Sequence, residues 1–527
     1  MAEFDYVIVG GGSSGCALAG RLAKSGEHSI AVLEAGRRQW PKITAIPAAL
    51  LKTVGNKRYD WMYLSEPDPS RKGRIEPWHR GMGPGGSGLI NGMIFVRGAP
   101  GDFDNWERLG ATGWGYKDVL PYFKRFEHSE IENDQYRGGL GPQSISKLRF
   151  VHPSTELFIR AAEASGIPYT PDYNGGRQDG VSYTQAIQKR GRRHSPYDAF
   201  LAPAIRSGAV HLIEEALAHR VVFEGKNAVG VEYVVNGVVQ TIRARKLVVL
   251  SGGSINTPKL LMQSGIGHGP DLQAAGITPL VENPEVGKNL IEHPGLFLRA
   301  AVNIPTLNQV ATPLGNALAM AQWFRGKGPA TTTTAQALAF HRTQPGLETP
   351  DVQIHFTAFG FTGPVETDPK QRLITVAPSV NHPKSRGEIR LRGPDATTSP
   401  LILPRLLEDP EDLATLRRGV RLCGQILNAP PLSQHITSIV DAAPFNAPDD
   451  ELDEILRETV GPLYHPVGTC RMGSDDNAVL TPTLRVRGVT GLAVADASIM
   501  PDHISGNTHA AALMIGEQAA DLFRSHS

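Results

Sequence analysis

The sequence predicts an α/β protein of two domains, one built on a nucleotide-binding sheet and the other inserted into it. Three observations carry that reading. An apolar run at residues 5–9 turns through glycines into a small-residue helix, a second strand–turn–helix unit occupies residues 246–263, and alternating strand runs fill residues 351–391. A chain of 527 residues is also longer than one hydrophobic core usually supports, which fits two domains sharing an interface.

The first unit is the most informative. Residues 5–9 read as a short apolar strand, and residues 16–23 have helical period and small side chains. Between them Gly10, Gly12 and Gly15 fit G-x-G-x-x-G, with Ser14 inside the turn. The first glycine permits the turn, the second lets backbone approach a pyrophosphate, and the third lets the helix pack close to the sheet. The helix N-terminus then faces the phosphates. A second apolar run at residues 29–33 ends in Glu34, at the distance from the glycines where an acid binds ribose. An acid there favours a free 2′-hydroxyl, as in FAD or NAD, over NADP. These mechanics define a Rossmann-like dinucleotide site without separating FAD from NAD.

In the second unit, residues 246–250 form a strand that turns at Ser251, Gly252 and Gly253 into a helix that Pro258 can begin. Further on, residues 351–356, 373–377 and 387–391 alternate as strands of a sheet with one covered face. His355, Phe356, Phe359 and Phe361 are candidate pocket residues there.

Composition narrows the function. Hydrophobic residues at 40% and charged residues at 20% are ordinary for a globular chain. No run approaches the roughly 18 apolar residues of a membrane span, so none is expected. Basic and acidic residues nearly balance at 53 and 52, and Arg190, Arg192 and Arg193 form only a local cluster, so nucleic acid is not an expected partner. Cys16, Cys423 and Cys470 are odd in number and lack a C-x-x-C pair, which predicts free thiols and no metal site. The amino terminus enters its first strand without a basic leader, which predicts a cytoplasmic location.

Further segments extend the reading. Residues 81–95 form a glycine-rich loop containing Gly86, Asn91 and Gly92; residues 253–267 run Gly-Ser-Ile-Asn-Thr-Pro-Lys-Leu-Leu-Met-Gln-Ser-Gly-Ile-Gly; and residues 286–293 run Val-Gly-Lys-Asn-Leu-Ile-Glu-His. Near the carboxyl end lie Tyr464-His465-Pro466-Val467-Gly468-Thr469-Cys470, then Val494-Ala495-Asp496-Ala497, then Gly506-Asn507-Thr508-His509-Ala510. On these segments the chain resembles the glucose-methanol-choline (GMC) oxidoreductases along essentially its whole length, and among them the aryl-alcohol and hydroxymethylfurfural-type oxidases.

The resemblance implies an FAD-binding Rossmann-like domain of residues 1–155, 196–295 and 463–527, with an α+β substrate domain of residues 156–195 and 296–462 inserted in it. It implies that Gly86, Asn91 and Gly92 wrap the flavin, that backbone at Ala218 meets the adenine, and that Asp496 and Ala497 contact the phosphate and ribityl portions. Ile90 stands where some members carry a histidine bonded to the flavin, so the FAD is expected to be dissociable. His465 is implied as catalytic base and His509 as the second catalytic position. Met82, Pro84 and Glu292 depart from the family pattern, as does the stretch after Thr508. Glu292 and His293 read as buried groups that tie a loop to the flavin domain, and His503 as part of a polar loop.

Two imidazoles suit the implied chemistry. Oxidising an alcohol removes a proton from oxygen and a hydride from carbon, so a neutral base must reach the hydroxyl while the carbon faces the flavin. A second polar group can steady the developing alkoxide. The expected substrate is a primary aryl or furanic alcohol, with oxygen or an electron carrier as acceptor. Alternatives are a choline-dehydrogenase-like enzyme using a quinone, a non-redox hydroxynitrile lyase, a light-driven decarboxylase, and a flavin-binding protein without catalysis.

Overall fold

The computed structural model describes residues 2–38, 43–132, 135–361, 367–441 and 445–525. Two sheets organise the chain. The first runs Val210–Ile213, Ile30–Leu33, Ala2–Val9, Val238–Leu250, Asn227–Val235 and Leu217–Glu224, and Leu492–Val494 also pairs with Val238–Leu250. The pairs among Val210–Ile213, Ile30–Leu33, Ala2–Val9, the end of Val238–Leu250 and Leu492–Val494 are parallel. Register sets Ile213, Leu33, Val9, Leu250 and Val494 level, so five strands end together. Ligands of open parallel sheets bind beyond such a carboxyl edge.

These strands are continuous apolar runs because both faces are covered. Val7, Ile8, Val248, Val249 and Ala493 are wholly buried. Helices Ser13–Leu22 and His509–Ser525 pack together, so closely that a Cβ on Gly516 would lie 2.3 Å from Ser14 O. Arg21, on the first of these helices, and Arg125, on the helix Tyr116–Phe126, both bind the buried Glu517 carboxylate, at 2.8 and 2.6 Å, and anchor the last helix to both.

The second sheet runs Ile436–Ile439, Leu298–Val302, Leu373–Val380, Val352–Thr357, Ala337–His341 and Gly180–Tyr183, and Pro294–Gly295 joins Leu373–Val380 to Gly461–Pro462. Helices Pro153–Ala164 and Pro410–Asn428 cover one face. Period-two alternation divides the candidate pocket residues. Phe356 points to the helices and stacks on Phe158 at 4.6 Å, whereas His355 and Thr357, with Ala377 and Thr375 opposite, face the first domain. Phe356 is therefore core.

One element begins earlier than its proline suggested. The helix is Gly253–Gln263, and Pro258 lies inside it. A proline there lacks the N–H that Ser254 O expects. That carbonyl instead accepts a hydrogen bond from Thr469 Oγ1 at 2.7 Å, and Ser254 Oγ donates to Pro466 O at 2.7 Å. The break in the helix is thus what holds the segment around His465.

Candidate active site

A cavity of about 1530 Å³ lies between the two sheets, running from Glu34 and Ala218 at one end to His465 and Asn507 at the other. Its first wall is the glycine turn. Gly10 has a φ of 105°, and a Cβ there would lie 2.4 Å from Ser251 O, so only glycine fits. A Cβ on Gly15 would meet Gly10 O at 2.1 Å, which explains the close seating of the first helix. Gly12 and Ser14 line the cavity, with Ser14 Oγ donating to Ala512 O at 2.6 Å.

Glu34 is buried at the cavity end, its oxygens accepting from the N–H groups of Gly11, Gly36 and Gly83 at 2.9, 2.9 and 3.1 Å. Burial still pushes its carboxyl above the usual range. Gly83 lies between the departures Met82 and Pro84, so the altered loop still serves the acid. Gly86 packs on the glycine turn, where a Cβ would approach Gly12 Cα to 2.7 Å. Asn91 and Gly92 line the next stretch; Asn91 Oδ1 accepts from the buried Arg193 at 2.6 Å, and a Cβ on Gly92 would strike Thr334 Oγ1 at 2.2 Å. Ala218 and Ala497 also face the cavity. Asp496 Oδ2 accepts from Gly253 N at 2.9 Å and Thr257 Oγ1 at 2.6 Å, joining the helix Gly253–Gln263 to the last strand.

At the far end, His465 meets two partners. Its Nε2 lies 3.0 Å from Asn507 Nδ2, and its Nδ1 lies 3.1 Å from His293 Nδ1. The tautomers follow from one carbonyl. His293 Nε2 sits 3.0 Å from Asn381 O, which can only accept, so that nitrogen carries the proton. His293 Nδ1 is then an acceptor, His465 Nδ1 is the donor, and His465 Nε2 presents a lone pair to the cavity. Burial pushes both imidazoles well below the ordinary histidine range, so both are neutral near pH 7. His503 stacks on His293 at 3.6 Å and its Nε2 donates to His465 O at 2.8 Å; burial holds it at about 3. Glu292 Oε1 accepts from His465 N at 2.7 Å, and burial raises its carboxyl to about 8. The loop-tying role expected of Glu292 and His293 is real, and the group they tie is His465.

His509 lines the same cavity, and its hydrogen bond goes to Ser13 and not to His465. It opens the helix His509–Ser525, and its Nδ1 meets Ser13 Oγ at 3.1 Å beside the glycine turn. The side chain opposite His465 comes from Asn507, two residues earlier in the approach to that helix. Asn507 Oδ1 in turn accepts from Gln353 Nε2 at 3.3 Å. Phe297, Phe359 and Phe361 line the same end, with Phe297 exposed at the mouth.

The residues fit FAD. The cavity exceeds the roughly 300–1,000 Å³ of ordinary small-ligand pockets, enough for a dinucleotide and a substrate. His509 Nε2 is buried in its wall without a hydrogen-bond partner among the described residues, a donor or acceptor suited to a polar group of the cofactor. Ile90 lines the cavity and offers no atom for a covalent link.

Fold and site together define an FAD-dependent alcohol oxidoreductase. The chain belongs to the GMC oxidoreductase family, which it matches over residues 4–295 and 383–516. It is 39% identical over 523 residues to an oxygen-dependent choline dehydrogenase of Rhizobium etli, covering 98% of this chain and 95% of that protein. Among solved structures it is similar to a pyridoxine 4-oxidase from Mesorbium loti, with a TM-score of 0.89, 29% identity and 99% of both chains covered. It is also similar to the formate oxidase of Aspergillus oryzae RIB40, with a TM-score of 0.92, 26% identity, and 99% and 98% covered.

Proposed function

We propose that this chain oxidises a primary alcohol to the aldehyde, with His465 as base and Asn507 as the second catalytic group. The observation that carries this reading is the 3.0 Å contact between His465 Nε2 and Asn507 Nδ2 at the end of the cavity. A hydroxyl entering that contact gives its proton to the Nε2 lone pair and accepts from Asn507, which steadies the alkoxide as charge develops. Bound flavin supplies the hydride acceptor. His293 keeps the proton of His465 on Nδ1, and Glu292 holds its backbone, so the lone pair is aimed before substrate arrives. His509, beside Ser13, serves the cofactor. The acceptor is oxygen, a reading supported by the names of the similar choline dehydrogenases and oxidases.

The substrate we favour is neutral and flat, aryl or furanic. Of the acids lining the cavity, Glu34 and Asp496 are held by backbone N–H groups, Asp441 is clamped by Arg299 at 2.5 and 2.8 Å, Glu76 binds Arg71 and Arg74, and Glu458 binds Lys72. Every one of these carboxylates is already paired, and Phe297, Phe359 and Phe361 suit a flat ring, although such aromatic faces also receive a quaternary ammonium. A second reading, choline itself, is favoured by the 39% identity to choline dehydrogenases.

Anaerobic flavin absorbance decides between them. We expect benzylic or furanic alcohols to bleach the flavin, choline to leave it oxidised, and admitted air to restore the colour quickly. Bleaching by choline alone overturns the neutral-substrate reading, slow recovery in air points to a carrier instead of oxygen, and no bleaching by any alcohol favours the lyase. His465→Ala should keep its FAD and lose flavin reduction by about 10²–10⁴-fold.

A further inference from the structure

The helix Pro313–Trp323 contains no charged residue. Its inner face, Ala319 and Trp323, packs on Ala330 with Ile46 and Val310 beside it. Its outer face carries large exposed apolar residues as well, beside the exposed Asn316 and Gln322. Leu314 is 71% exposed, Leu318 56% and Phe324 71%, with Ala317 and Ala321 exposed between them, all spaced for one side of a helix. A helix without charge and with apolar residues on both faces is ordinarily buried. This one stands on the surface, so its outer face calls for a covering.

Charge identifies the covering. Arg325 and Lys327 follow the helix, and the hairpin carrying Lys189, Arg190 and Arg192 packs on its end: Trp323 Nε1 donates to Gly191 O at 3.0 Å and the Arg192 guanidinium lies 4.3 Å over the Trp323 ring. All five cations are exposed, and among the described residues none is paired with a carboxylate. The sequence has no aspartate or glutamate from 293 to 347. A second copy of the chain seated on this face would oppose like charges. An apolar stripe with unpaired cations gathered at one end suits an anionic lipid interface, which takes up the apolar side chains and offers phosphates to the cations.

We infer that this face docks on an anionic membrane surface, with Leu314, Leu318 and Phe324 entering the headgroup boundary and the five cations meeting lipid phosphates. The attachment is peripheral. The helix also lies over a wall of the cavity: the segment Pro47–Lys52 packs against Pro329–Thr331 beneath it, and Leu50, Leu51 and Val54 line the cavity.

The test is co-sedimentation of the FAD-loaded protein with phosphatidylcholine vesicles, with and without about one-third phosphatidylglycerol. We expect binding to the anionic vesicles only, weakened by salt. The Leu318→Glu/Phe324→Glu variant should bind at least about tenfold more weakly, and Arg190→Gln, Arg325→Gln and Lys327→Gln roughly fivefold each. FAD content and flavin reduction, unchanged in these variants, verify that they are folded. No sedimentation, equal binding to both vesicles, or binding that survives the double variant overturns the inference. So does a dimer in sedimentation velocity that the same double variant dissociates, which assigns the face to a second copy.

Discussion

His293 shows how one buried side chain can set the chemistry of another. Asn381 O holds its Nε2 proton, its Nδ1 accepts from His465, and the base is left with its lone pair facing the cavity. Replacing His293 by Ala removes that choice of tautomer and admits water behind the ring. Flavin reduction in His293→Ala should fall about tenfold, and its acid limb should move up toward the ordinary histidine range. A merely structural role leaves the limb where it was, so the pH profile separates the two. In the parent protein the sign runs the same way. Burial depresses His465, so the base stays neutral as pH falls through 6.5, and stopped-flow reduction rates should decline only below it.

The residue scale is also where the sequence was hardest to read. His465 was legible because its flanking segment is distinctive. Asn507 and His509 are both polar and only two positions apart, and which one faces His465 depends on where the last helix begins. Helix starts shift by one or two residues with tertiary contacts, and the contact between His509 Nδ1 and Ser13 joins positions 496 apart in sequence. His293 read as a structural tie for a similar reason: its partners, Asn381 and His465, lie on distant segments.

Among the elements, the helix Gly253–Gln263 shows a local irregularity turned into a tertiary link. Pro258 frees Ser254 O, and Thr469 Oγ1 takes it up. Thr469→Val keeps the shape but leaves that buried carbonyl unsatisfied, at a cost of about 1–3 kcal/mol. Its midpoint in urea should fall accordingly, and flavin reduction should slow because the segment carrying His465 loosens. The glycine turn was legible to the residue because its demands are local: a positive φ at Gly10 and close packing at Gly15 exclude side chains whatever lies elsewhere. The start of this helix was not, because the proline pointed to a beginning and the tertiary link made it an interior break.

At the scale of the whole molecule, the cavity is walled by both sheets, and Ile90, which the family resemblance puts where some members carry a flavin-bonded histidine, offers no atom for a covalent link, so we expect FAD to be held by shape and hydrogen bonds. Acid or heat denaturation should therefore release all the yellow colour into the supernatant, and added FAD should raise the melting temperature as binding to the native state alone requires. The alternation of residues 351–377 marked the strands of the second sheet, but the one covered face it suggested is two: every residue of Leu373–Val380 is buried, because helices cover one face and the other side of the cavity closes over the second. The order of strands was not readable, because it rests on pairings between segments hundreds of residues apart.

That separation bears on how the protein is made. The strand Leu492–Val494 completes the first sheet, and the helix His509–Ser525 lies on the helix Ser13–Leu22 through Glu517. A chain emerging from the ribosome carries its glycine turn early and waits for nearly all the rest before the cavity closes. FAD capture thus waits on the segments Leu492–Val494 and His509–Ser525, and until they are in place the half-built sheet presents an open edge that a chaperone is suited to shield.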